Sequence, residues 1–134
     1  MLASIPLLIL VVAAYNVVAF FTAGTLDDNI LSMTMPSGAT WQFSTGELLI
    51  VCGLILLFFE IFKATRTSNA SIVDHILSTG LFVVCVVELL VVPQAATSTF
   101  FVITIMTLLD VIAGFTITIS TARRDIGLER GTGL

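Results

Sequence analysis

Four polar side chains stand within long apolar runs of this 134-residue chain: Asn16, Glu60, Glu88 and Asp110. Hydrocarbon cannot solvate such groups, so at membrane depth they are rare and are functional candidates by default. Asp110 lies near the middle of its run. Around it Thr104, Thr107, Val111, Gly114, Thr118 and Thr121 recur at intervals of three and four, which defines one helical face of small or hydroxylated residues. Membrane helices approach closely along such faces. Asp110 is at the margin of this one and is expected to point into protein. Two chemistries fit: a neutral carboxyl bonded to Thr107 or Asn16 that locks helices together, or a relay or binding group for a proton or cation. Glu88 shares a face with Ser78, Leu81 and Cys85, about one turn before Pro93. A short connection makes the third and fourth runs antiparallel neighbours, which puts Asp110 about 10 Å deeper than Glu88. The two acids are then steps on one path and not a carboxyl pair. Glu60 falls in a heptad row with Gly46 and Gly53, with Lys63 three residues on, and reads as an interfacial partner of Lys63 or Arg66. Asn16 is placed to bridge two helices by hydrogen bond.

The elements that must position these residues are set by hydropathy. The chain is 57% hydrophobic and 10% charged, with a mean hydropathy of +1.14, against roughly 25% charged residues in soluble domains. A water-soluble fold of this size could not hide so much apolar surface. Runs of roughly 20 apolar residues mark spanning helices, and four occur, at about 2–23, 46–63, 72–92 and 98–121. The first has no basic n-region and is too long for a signal-peptide core, so it is read as a retained helix. The expected fold is an all-α integral membrane protein, a single four-helix transmembrane bundle. Lys63 and Arg66 follow the second run, and Arg123, Arg124 and Arg130 follow the fourth. The positive-inside rule places both basic regions, and with four spans both termini, in the cytoplasm. Size and this bias suggest a bacterial inner membrane. The tail at 122–134, Gly-rich and charged, is expected to fray.

One element lies outside the spans. Leu31, Met33 and Met35 alternate with Ser32 and Thr34, and beyond Pro36-Ser37-Gly38, Trp41 and Phe43 alternate with Thr40, Gln42 and Ser44. Alternation on both sides of a Pro/Gly turn predicts an extracytoplasmic β-hairpin within about 29–45. A three-residue loop with Gly in the left-handed position sets Met35 against Ala39, Met33 against Trp41 and Leu31 against Phe43. All the large apolar side chains then share one face. A lone hairpin needs something beneath that face: the outer ends of its own helices, the headgroup belt around Trp41, or a neighbouring subunit paired along a free edge.

Other classes of function find little support. No phosphate loop, nucleophile elbow or paired-His motif is present, which argues against an enzyme. His75, the only histidine, is a poor metal ligand by itself and reads as an exposed or interfacial residue near a helix start capped by Ser71. Cys52 and Cys85 lie in apolar runs and read as small hydrophobes. No metal or cofactor is expected. A net charge of −4 argues against nucleic acid. Four helices with a hairpin between the first two resembles the general layout of claudin-like tetraspan proteins, although that family's extracellular Trp, Gly and paired-Cys motif is missing. The resemblance implies lateral assembly in a bilayer. The leading expectation is an oligomeric assembly or accessory subunit of a membrane complex. A small proton or cation channel or carrier using Asp110 and Glu88 is the alternative.

Overall fold

The computed structural model describes residues 5–22, 25–66 and 70–131, apart from the side chains of residues 70, 71 and 129. Among them are four α-helices and one hairpin, in the order α1 (Leu8–Phe21), β1 (Asn29–Thr34), β2 (Thr40–Ser44), α2 (Thr45–Ala64), α3 (Ala70–Val91) and α4 (Ser98–Gly131). Short 3-10 turns at Thr25–Asp27 and Pro93–Ala95 complete the connections. Helix α4 packs along both α2 and α3, and α1 lies against α2.

Three helices, α2, α3 and α4, are long and apolar enough to cross a membrane. The first is shorter than the expected run at 2–23, because it begins only at Leu8. Its 14 residues rise about 21 Å. Proline disfavours helical geometry in the residue before it, so Pro6 stops α1 from extending back through Ile5. Residues 1–4 lie outside the described part of the chain. At the other extreme, α4 runs 34 residues to Gly131, so the tail expected to fray is helical over residues 122–131, while residues 132–134 lie outside the described part of the chain. Nothing between Ser98 and Arg130 stops a helix firmly: Gly114 and Gly127 are isolated weak formers, no proline occurs, and Arg, Leu, Ala and Glu around Gly127 are strong formers. Ser71, expected as an N-cap, lies one residue inside α3, and its side chain is outside the described residues.

Helix packing follows the small residues. On α2, Gly46, Leu49, Gly53, Leu57, Glu60 and Ala64 form the buried stripe. A Cβ at Gly46 would stand 2.6 Å from Thr99 Oγ1 of α4, and one at Gly53 would stand 2.8 Å from Met106 Sδ. These glycines let α2 and α4 close on one another, as expected for small residues in membrane helices. The facing stripe of α4 comprises Phe100, Ile103, Thr104, Met106, Thr107, Asp110 and Gly114, all buried. The small-residue row therefore holds from Thr104 to Gly114 and then turns outward, with Thr118 exposed. Asp110 is within the stripe, not at its margin.

The core combines a hydrophobic cluster around Leu8, Val11, Tyr15, Phe100 and Ile103 with buried polar groups, and the outer surface is broadly apolar. Glu60, Asp74, His75, Ser78, Thr104, Thr107 and Asp110 are buried, while Phe21, Phe58, Ile76, Leu90 and Val91 are among the most exposed large side chains.

The hairpin has the register that its alternation predicts. Met33 faces Trp41 and Leu31 faces Phe43, with a bulge between Asn29 and Leu31. The Gly38 amide donates to Met35 O (2.8 Å) and the Met35 amide to Ala39 O (2.8 Å). Gly38 takes φ +84°, which a residue with a Cβ rarely adopts. At the other end Ser44 and Glu47 form a reciprocal capping box, with Glu47 Oε2 accepting from Ser44 N (2.8 Å) and Ser44 Oγ accepting from Glu47 N (3.2 Å). Satisfying two orphan amides there lets β2 pass into α2 without a linker.

Candidate functional site

Two features stand apart from ordinary helix packing: a cluster of charged groups between the helices, and the hairpin at the opposite end of the bundle.

Lys63 organises the cluster. Its ammonium lies 2.7 Å from Glu60 Oε1 and 3.0 Å from Asp74 Oδ1, and it donates to Ile5 O (3.0 Å). One side chain thus ties α2 to α3 and to the segment leading into α1. Glu60, 1% exposed, accepts from Leu7 N through its other oxygen (2.6 Å). A helix N-terminus presents unpaired amides and a partial positive charge, so a carboxylate from α2 completes the start of α1. The ion pair expected between Glu60 and Lys63 is present, but it is enclosed rather than interfacial, and Arg66 instead lies over the Phe62 ring.

Asp110 and Ser78 continue the cluster onto the α3–α4 seam, where their side chains hydrogen-bond. The partners expected for Asp110 were Thr107 and Asn16; both are engaged elsewhere. Thr107 Oγ1 donates to Thr104 O (2.7 Å), and Asn16 Nδ2 donates to Val12 O of its own helix (3.1 Å). Asn16 therefore makes this bond within α1 and not across helices. Threonine hydroxyls in membrane helices commonly bond back one turn in this way, and Thr104 and Thr118 do so as well.

His75 is the largest departure from expectation. It is 8% exposed, its Nε2 is 2.8 Å from Thr118 Oγ1, and its ring stacks near Phe115 (6.0 Å, 29°). A Cβ at Gly114 would collide with the imidazole. Glycine at that position is what admits the ring between α3 and α4. Gly114 and Thr118, one turn apart, were a legible signal for a ring-sized partner on α3.

Glu88 is half-buried and belongs to a different level of the core. It lies near Tyr15 and Cys85, and the Cys85 thiol is hydrogen-bonded to Thr107. Tyr15, which its sequence context did not single out, is fully buried against Phe100 (4.7 Å between ring centroids). Its hydroxyl donates to Gln94 O (2.9 Å) and lies 2.6 Å from Thr97 Oγ1. Above it a cleft of ≈ 450 Å³ opens between α1 and α4, lined in part by Thr22, Asp27, Gln94 and Thr97. Asp110 and Glu88 are thus held in separate clusters, with the Cys85–Thr107 pair between them.

At the hairpin much of the apolar face is open. Leu31 is 45% exposed, Met33 50% and Trp41 42%; Met35 and Phe43 are half-buried. Trp41 and Phe43 touch each other (5.5 Å). Strand β2 touches α2 where it enters that helix, so the hairpin packs on the ends of its own helices only in part and its outer portion is left open. No charged residue occurs between Asp28 and Glu47, so neither strand carries the charges by which exposed sheet edges are usually protected from pairing.

Among the described residues no three of His, Cys, Asp and Glu converge as a metal-binding group. In the charged cluster a lysine ammonium holds the place between the carboxylates. Comparison with protein-family models, with curated proteins and with solved structures finds no match to this chain.

Proposed function

We propose that the chain is a four-span integral membrane protein with no catalytic role, which serves as an oligomeric assembly or accessory subunit and docks laterally through its hairpin. The observation that carries this reading is the uncharged, two-stranded sheet whose apolar face is left open. Such a hairpin is marginal by itself and gains stability when another chain covers it.

The many large apolar side chains exposed on the helices support the bilayer setting, since lipid is the solvent that suits such outer faces. Although α1 is short, Leu7 meets Glu60 one turn before the end of α2, so α1 reaches nearly as deep as its neighbour. With the basic residues Lys63, Arg66, Arg123, Arg124 and Arg130 on the cytoplasmic side, both termini are cytoplasmic and the hairpin is outside. A bacterial inner membrane suits this arrangement. Extraction in mild detergent followed by mass measurement tests the proposal. A mass of two or more chains, or a co-purifying membrane partner, is expected; a strictly monomeric, partner-free species contradicts it.

A second reading has its own support. Polar groups follow one another along the core from Lys63 and Asp74, through Asp110 and Ser78, then Cys85 and Thr107, to Glu88, Tyr15 and the cleft. That order suits a relay for protons or small cations, with Asp110 and Glu88 as stations. In liposomes loaded with a pH-sensitive dye, this reading expects proton flux that falls at least tenfold in Asp110→Asn. Equal flux in both proteins, or none in either, removes it.

A further inference from the structure

We propose that β1 pairs with β1 of a second copy of this chain, antiparallel about a two-fold axis through Met33, to give a four-stranded sheet outside the bilayer. The inference rests on the assembly reading and names its partner and register.

Hydrogen bonding identifies the edge. The Met35 amide bonds to Ala39 O, and bonded pairs alternate along an antiparallel ladder. Met33–Trp41 and Leu31–Phe43 are then bonded pairs, so the amides and carbonyls of Ser32 and Thr34 point away from β2. Strand β1 is exposed along its whole length, whereas β2 becomes half-buried at Phe43 and Ser44, where it enters α2. The β1 edge is the accessible one.

The sequence of that edge is self-complementary. About Met33 the residues read Leu31-Ser32-Met33-Thr34-Met35, with a hydroxyl residue on each side and an apolar residue beyond each. A two-fold axis at Met33 pairs Ser32 with Thr34 of the other copy twice over, through the outward amides and carbonyls. It sets Met33 against its own copy and Leu31 against Met35, on the face that already carries Trp41. Closed two-fold pairing of one patch with itself is the commonest form of self-assembly. The bulge at Ile30 ends the regular pairing before Asp28, and no charge repeats across the axis.

Cysteine cross-linking in membranes tests the register. Across a non-hydrogen-bonded antiparallel pair the Cα atoms stand about 4.5 Å apart, within the range that a disulfide bridges. In a Cys52→Ala, Cys85→Ala background, Met33→Cys is expected to form a disulfide-linked dimer on mild oxidation. Thr40→Cys, on the β2 edge, is expected to give at least tenfold less. Equal cross-linking at both positions, or preference for Thr40→Cys, overturns the edge pairing. If the background protein is multimeric in detergent and Met33→Cys stays uncross-linked, this pairing fails and the assembly reading survives. A monomeric background protein ends both.

Discussion

Lys63→Met is expected to destabilise the folded protein by about 3 kcal/mol, near the lower end of the range for removing one partner of a buried ion pair. Glu60 and Asp74, 1% and 5% exposed, would be left facing each other without a cation. Their removal from water has already been incurred on folding, so the loss is mainly that of uncompensated charge. The lower figure applies because the Lys63 side chain itself remains 22% exposed. The substitution also frees Ile5 O and loosens the entry to α1. Neutralising the whole group is a different perturbation. Replacing a complete buried set by uncharged residues is often close to neutral, so Glu60→Gln, Lys63→Met and Asp74→Asn together are expected to recover most of the loss. Denaturant titration of the detergent-solubilised protein measures both. A single variant as stable as the wild type, or a triple variant weaker than the single, would show that the cluster does not hold the helices.

Replacing Leu31, Met33 and Trp41 together with threonine is expected to weaken self-association at least a hundredfold while leaving the bundle's own stability unchanged. Each side chain is roughly half exposed, and covering the remainder contributes about 1 kcal/mol per residue, half or less of what full burial of a large apolar side chain gives. Together they supply about 3 kcal/mol, and each 1.4 kcal/mol is a factor of ten in the association constant. Threonine keeps strand propensity, so the hairpin itself persists. None of the three positions touches the buried charges, so denaturation measured at a dilution where both proteins are monomeric should not change; association would otherwise add to the wild type's apparent stability.

Much of this architecture is legible in the residues. The helix limit at Pro93, the α2 stripe with Gly46 and Gly53, and the hairpin register follow from periodicity, breakers and turn chemistry, all of which act locally. The register is the clearest case: a one-residue slip would have split Leu31, Met33, Trp41 and Phe43 between two faces. What escaped is what depends on rotation and depth between helices. The α4 spacing alone puts Asp110 at the margin of a packing face, whereas it is buried within the stripe and its partner, Ser78, is on α3; nothing in either segment alone states how α3 and α4 are rotated. His75 looked like a surface residue because it follows Asp74 near a helix start, yet Gly114 opens a slot for it. Lys63 was recognised as the partner of Glu60 only, since its reach to Asp74 and to Ile5 crosses two loops. The short α1 and the long α4 are departures of a second kind. Hydropathy marks where apolar residues lie, whereas helix ends answer to Pro6 and to the lack of any firm breaker before Gly131.

The claim that the hairpin is an assembly surface is tested most directly by the mass of the wild-type protein and of the Leu31→Thr/Met33→Thr/Trp41→Thr variant, measured side by side at equal concentration in the same mild detergent. The wild type should run as a defined multimer or complex and the variant as a single 14.3 kDa chain plus its detergent. Equal masses for the two would place assembly, if any, somewhere other than the hairpin.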